Sequence, residues 1–172
     1  QSLRKRTTGK DVARQILDKN GLQNIKIVEV RGNLTDHYDP KKKVVSLSSD
    51  IYNGDTIAAA SVAAHECGHA IQHKEAYSFL TLRSKLVPVA NISSNMSWVF
   101  VLIGIFASSS GFLLLGIVLL AAGVVFQIIT LPVEFDASKR AMNEVVSLGI
   151  IGNNEEAGAR KVLNAAAMTY VA

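Results

Sequence analysis

Apolar and polar positions follow several different periods along this chain, and one long stretch has no charged partner at all. After TTGKD at residues 7–11, Val12, Ala13, Ile16 and Leu17 recur at helical spacing. An amphipathic helix is predicted there, with Gly21 after Asn20 as its stop signal. Residues 25–30 alternate as a half-buried strand would, and Arg31, Gly32 and Asn33 turn the chain. Asp39 and Pro40, followed by three lysines, predict a second turn, and residues 44–47 a further short strand. Together these make a small β-hairpin or meander. Residues 50–55 read as a loop, and Asp55 or Thr56 can cap the helix that follows. That helix meets no breaker between Ile57 and Leu86.

From residue 86 to residue 133 no position is charged. The stretch accommodates two membrane passes of roughly 20 residues each, with the SSSG sequence at 108–111 as the turn between them. The second pass, about 112–131, is strongly apolar. The first carries Asn91, Ser93, Ser94, Asn95 and Ser97, which must face protein rather than lipid. A buried helix of a soluble core would show a polar face, and 112–131 shows only Gln127 and Thr130. A helix is predicted to resume after Pro132 and run to about Leu148. A linker at 149–152 follows, then a last helix capped by Asn153 or Asn154, with Glu155 and Glu156 in its first turn. The expected fold is mainly α with a small β element (α+β), built around a helix carrying HECGH and a transmembrane helical hairpin. One membrane-embedded domain, 1–172, is expected: 7–55 the first helix and the hairpin, 56–86 the HECGH helix, 87–133 the membrane hairpin, and 134–172 the last two helices.

Charge and composition narrow the functional classes. The chain has 172 residues and a net charge of +4. Its basic residues scatter among 4–6, 41–43 and the flanks of the apolar stretch, without interleaved aromatics. Juxtamembrane positive charge explains this better than nucleic-acid binding, and no nucleic-acid partner is expected. The single cysteine, Cys67, excludes an internal disulfide and fits a reducing compartment. Both ends look cut, so further membrane segments are expected beyond them.

The chemistry lies in HECGH at residues 65–69. On a helix, His65 and His69 stand one turn apart on one face, so both imidazoles can reach one cation. Glu66, about 100° further round, flanks that cation and can act as general base toward a water whose pKa zinc has lowered. The motif is short, but its setting strengthens it. Ala58, Ala59, Ala60, Ala63, Ala64 and Ala70 surround it, letting other elements approach, and two histidines with a glutamate on so apolar a helix are costly without a metal or partners. Cys67 falls about 200° from His65 and faces away.

A catalytic zinc needs a third protein ligand and an open position. His37, His73, Glu134 and Asp136 are the candidates. His73 extends the same face but stands about 12 Å along the axis from His65, too far to share an ion with it. His37 falls in the loop between strands. Glu134 is the first charge after the apolar stretch, where a membrane hairpin would return the chain to the side of HECGH. Asp136 is the second choice, or a hydrogen-bond partner of a ligating histidine.

AAHECGHAIQ at 63–72 and LPVEFDASKRA at 131–141 resemble the YugP-like family of neutral zinc metallopeptidases of bacterial membranes, as do LTDHYDP at 34–40 and ARKVLNAA at 159–166. The resemblance covers almost the whole chain. It implies zinc bound by His65, His69 and Glu134, with Glu66 as catalytic base, and further membrane helices at both ends. HtpX-like membrane proteases are similar at greater distance. Their ligand glutamate opens an E-x-x-A-D pattern, where this chain has EFDAS and places Ser138 at the aspartate position.

The expected function is a membrane-bound, zinc-dependent peptidase acting on a peptide or membrane-protein substrate. Its alternatives are a silent zinc-binding membrane adaptor, or a metal amidase acting on non-peptide substrates. Deformylases also use HExxH, but with a cysteine ligand, and Cys67 faces the wrong way. His37, Tyr38 and Tyr170 are candidate oxyanion donors, and strand 44–47 a candidate edge for an extended peptide. The resemblance implies a multi-pass protein of the bacterial cell membrane, and Arg83 and Lys85 before the hairpin, with Lys139 and Arg140 after it, predict that both its ends lie on the cytoplasmic side. Its site would face the cytoplasm and its serine turn the outside. The pattern does not set an oligomeric state.

Overall fold

The computed structural model describes residues 6–171, with the side chains of residues 94 and 169–171 left aside. The elements are α1 (Gly9–Lys19), β1 (Lys26–Val30), β2 (His37–Asp39), β3 (Val44–Ser48), α2 (Ser49–Tyr52), α3 (Ile57–Lys74), α4 (Ser78–Phe106), α5 (Ser110–Ser147) and α6 (Glu156–Val171). They form two compact units: residues 1–77 with 134–172, and residues 78–133. The protein is mainly helical, with one three-stranded sheet.

In the first unit α3 is the central element. α1 turns Val12, Ala13, Ile16 and Leu17 onto it, all fully buried. Thr8 caps α1, its hydroxyl accepting from the Asp11 N–H at 3.3 Å. Gly21, at φ +73°, ends it by adopting the left-handed conformation that glycine tolerates. Thr56 caps α3 by accepting from the Ala59 N–H at 3.0 Å. The C-terminal part of α5 buries Ala137, Ala141 and Val145, one helical stripe, and α6 adds Ala159 and Leu163.

The sheet order is β1-β3-β2, with β1 parallel and β2 antiparallel to β3. This corrects two expectations. His37 stands on a strand rather than in a loop. And β3, the strand expected to offer an edge to substrate, is central, so both its edges are already paired; the edges belong to β1 and β2. The burial pattern gives the reason, because four of the five β3 residues are buried whereas β1 and β2 stay largely open.

The HECGH helix is also shorter than expected. It stops at Lys74, where the Tyr77 N–H bonds the Gln72 carbonyl at 2.9 Å and the Ala76 N–H that of His73 at 3.2 Å. These two bonds form a Schellman motif, which glycine usually closes. Here Ala76 occupies the left-handed position, at φ +54°. An alanine gives the sequence no stop signal. Pro132, by contrast, lies inside continuous α5 and ends nothing, so Glu134 falls within a helix rather than at the start of one.

In the second unit α4 packs on the first part of α5. A β-carbon on Gly104 would come within 2.6 Å of the Leu113 backbone, and one on Gly116 within 2.6 Å of Val101, so glycine sets how closely the helices approach. Phe100 and Phe112 stack at 6.0 Å. Ser93 and Ser97 are buried, whereas Asn91 and Asn95 are exposed. Both helices are long and apolar enough to cross a membrane, and only 6% of the most apolar window of α5 is buried. A soluble core helix would bury such a window; lipid accommodates it exposed.

Candidate metal centre

α3 and α5 meet at Gly68. A β-carbon there would lie 2.4 Å from the Ala137 carbonyl oxygen, so only glycine permits this approach. The close contact brings Glu134 and Ser138, one turn apart on α5, against His65 and His69 on α3. His65 Nε2 lies 2.9 Å and His69 Nε2 3.3 Å from the same Glu134 oxygen, Oε2. The two imidazoles meet edge to face, with centroids 4.9 Å apart. All three residues are buried.

The remaining nitrogens fix the tautomers. The Ser138 hydroxyl donates to the Leu163 carbonyl at 2.9 Å, so toward His65 Nδ1, also at 2.9 Å, its oxygen must accept. Gln72 donates through Nε2 to the Asp136 carboxylate at 2.7 Å, a group that can only accept, which turns its Oε1 to receive His69 Nδ1–H at 2.9 Å. Both Nδ1 atoms therefore carry protons, and both Nε2 atoms face Glu134. Three electron-rich donors this close require positive charge among them. One metal dication would supply it. Against the desolvation of burial, hydrogen bonding to His65 and His69 holds the Glu134 carboxyl, which lies beyond the apolar stretch, well below the usual range.

The donors fit a zinc ion. Tetrahedral zinc with bonds near 2.0 Å sets its ligands roughly 3.3 Å apart, and the ligand atoms of His65, His69 and Glu134 all lie within 4.8 Å of one another. The Nδ1 partners match what metal-binding histidines need for orientation. Burying such groups without a counter-charge would cost several kcal/mol each.

The other sequence candidates stand elsewhere. Glu66 is buried on α3 beside this group. Asp136 lies outside the group, taking Gln72 on one side and Arg140 Nε at 2.7 Å on the other. Arg140 also pairs with Glu75 and lies over the Tyr77 ring, which ties the end of α3 to α5. His73 is exposed and meets the Tyr38 hydroxyl at 2.9 Å, and His37 is exposed against the Thr35 carbonyl. The Tyr170 side chain is outside the described ones. Cys67 turns to α1, with Sγ 3.7 Å from the Ala13 carbonyl, and burial, then Glu66, pushes its thiol pKa well up. Gln72 and Gly68 escaped the sequence reading, although Gln72 stands at i+3 from His69, where a helix brings side chains together.

A buried two-histidine, one-carboxylate cluster that could hold a metal ion thus stands on a helical scaffold that has two helices long and apolar enough to cross a membrane. Residues 1–172 match the family described as "Putative neutral zinc metallopeptidase", and the chain belongs to that family. It is 54% identical over 165 residues to "Putative membrane protease YugP" of Bacillus subtilis (strain 168), a match covering 96% of this chain and 73% of that protein. No solved structure matches it. The cofactor is zinc, the metal of the family, and the buried His–His–Glu group is able to hold it.

Proposed function

We propose that the chain is a membrane-bound zinc peptidase in which His65, His69 and Glu134 hold the ion and Glu66 is the general base of a zincin-like HExxH helix. The observation that supports this best is the convergence of both Nε2 atoms on Glu134, with Ser138 and Gln72 holding the opposite nitrogens. Zinc, when bound there, supplies Lewis acidity toward water and the scissile carbonyl. Glu66 takes the proton of the attacking water on its carboxylate and delivers it to the leaving amine as the C–N bond breaks. The Nδ1 atoms of His65 and His69 are committed to Ser138 and Gln72, which leaves both Nε2 lone pairs to ligate the ion. Among the described residues three donors gather there, which favours chemistry over a silent adaptor, whose zinc would usually have four.

The protein is read as multi-pass, with α4 and the apolar part of α5 as the passes and the site facing the cytoplasm, from the charges at Arg83, Lys85, Lys139 and Arg140. Cleavage of an unfolded membrane-protein substrate by wild type and by Glu66→Gln tests the mechanism. The variant is expected to keep zinc and lose cleavage, and equal cleavage by both would refute it.

A further inference from the structure

The groove between α5 and α6 carries positive charge that the metal centre does not use. It is a cavity of about 240 Å³ within the first unit. α5 lines it with Lys139 and Asn143, one turn apart, and α6 with Arg160 and Asn164, also one turn apart. All four are exposed. Buried Ser138 and Leu163 form its floor, and the bond from the Ser138 hydroxyl to the Leu163 carbonyl, at 2.9 Å, fixes α6 at this level of α5.

The lining holds two cations, two amides and no carboxylate. The acids of these helices are engaged elsewhere. Asp136 accepts from Gln72 and Arg140, Glu144 pairs with Lys19, and Glu155 accepts from the Gly152 N–H. Glu156, one turn before Arg160, lies outside the lining. Among the described residues Lys139 and Arg160 have no ion-pair partner, whereas Arg140 takes both Asp136 and Glu75. Two uncompensated cations at one groove attract an anion. The groove also begins close to the apolar stretch. Lys139 lies only about 9 Å along α5 beyond Val133, the last of the uncharged residues. A headgroup layer extends about 5 to 8 Å from the hydrocarbon core. Helical side chains lean toward their helix's N-terminus, which in α5 is the apolar end, and a lysine stem reaches further that way. Phe135, one turn before Lys139 and 40% exposed, lines the groove on that apolar side.

We propose that this groove binds the headgroup of an anionic phospholipid, with Lys139 and Arg160 on the phosphate, Asn143 and Asn164 on its glycerol oxygens, and Phe135 against the start of the acyl chains. The volume takes a phosphodiester with its glycerol, and basic pockets between helices at a membrane surface hold headgroups of this kind. The site rests on α5 being a membrane pass, and not on the peptidase chemistry. To test it, the zinc-loaded chain in nonionic detergent is titrated with dioleoyl phosphatidylglycerol or dioleoyl phosphatidylcholine, and bound lipid is counted by native mass spectrometry. Phosphatidylglycerol is expected to bind at least about tenfold more tightly. Lys139→Gln and Arg160→Gln should each weaken it about fivefold, the usual worth of one basic side chain at a lipid surface. Asn164→Asp, at an exposed position, leaves both cations in place but adds a carboxylate to the lining, and should weaken it too. Lys41→Gln combined with Lys42→Gln, in the turn after β2, removes as much charge as both groove variants together and should change nothing. Equal binding of the two lipids, or an equal loss in the groove and turn variants, would overturn the site. So would displacement of the lipid by millimolar inorganic phosphate, which would make the occupant a soluble anion. Binding of neither lipid, by a chain that stays soluble without detergent, would overturn the membrane reading together with the site. Failure of the peptidase reading, seen as equal cleavage by wild type and Glu66→Gln, would leave the lipid preference intact.

Discussion

Gly68 of α3 and Ala137 of α5 stand so close that a β-carbon on the glycine would lie 2.4 Å from the alanine carbonyl oxygen. Everything in the metal centre depends on that separation, because Glu134 and Ser138 flank Ala137 on one helix while His65 and His69 flank Gly68 on the other. The second residue of CGH is therefore a spacing device between the two parts of the donor set.

Gly68→Ala must push α3 and α5 apart, and overpacking of this kind costs about 1–3 kcal/mol. Alanine's better helix propensity returns at most about 1 kcal/mol of that. The variant should melt earlier and, in competition with a chelator, hold zinc more weakly. Gly158→Ala is the control. Its β-carbon would meet Ile57 side-chain atoms at an ordinary 3.7 Å, so it should leave both readouts unchanged or slightly improved.

Ser138→Ala removes the acceptor of His65 Nδ1–H, and Gln72→Leu that of His69. Each should weaken zinc binding by about 10- to 100-fold, the usual effect of losing a partner behind a metal-bound histidine. Gln72→Glu keeps an acceptor toward His69 but sets a carboxylate against Asp136, so it should recover only part of the affinity. Chelator competition at fixed pH reads all three. Unchanged affinity in Ser138→Ala and Gln72→Leu alike would remove both residues from the site.

The sequence made some parts of this arrangement readable and hid others for physical reasons. The α1 stripe, the Thr56 cap and the apolar helices follow from periodicity and composition, which local sequence carries. Three elements did not. Ala76 ends α3 in a conformation usually left to glycine, a boundary without its usual marker, and α5 runs through Pro132, a marker without a boundary. The parallel pairing of β1 with β3 is a long-range choice, set by which strand is buried rather than by any turn residue. In the metal centre, HECGH announces itself because one helical turn separates its histidines. Glu134 could be singled out as the first charge after an apolar stretch. The Gln72–Asp136–Arg140 chain could not, since it joins two helices whose approach is fixed only by Gly68.

Cys67 should be inert in the folded protein although it sits between the two histidines in sequence. It is fully buried against α1, and burial holds its thiol in the protonated, unreactive form. A maleimide reagent should leave it unmodified under native conditions and modify it fully in denaturant. Rapid native labelling would mean that α1 detaches from α3.

That inertness makes the chain its own background for a test of topology. Ser109→Cys introduces one accessible thiol into the turn between α4 and α5, where Ser108 sits at φ +52° and the helix restarts at Ser110. With Arg83 and Lys85 before the apolar stretch and Lys139 and Arg140 after it, both flanks are basic, and basic flanks stay on the cytoplasmic side. A membrane-impermeant maleimide added to intact cells should therefore modify Ser109→Cys. A cysteine at exposed Lys10, on α1, should react only after the membrane is opened. The reverse pattern would place the metal centre outside the cell and refute the cytoplasmic site.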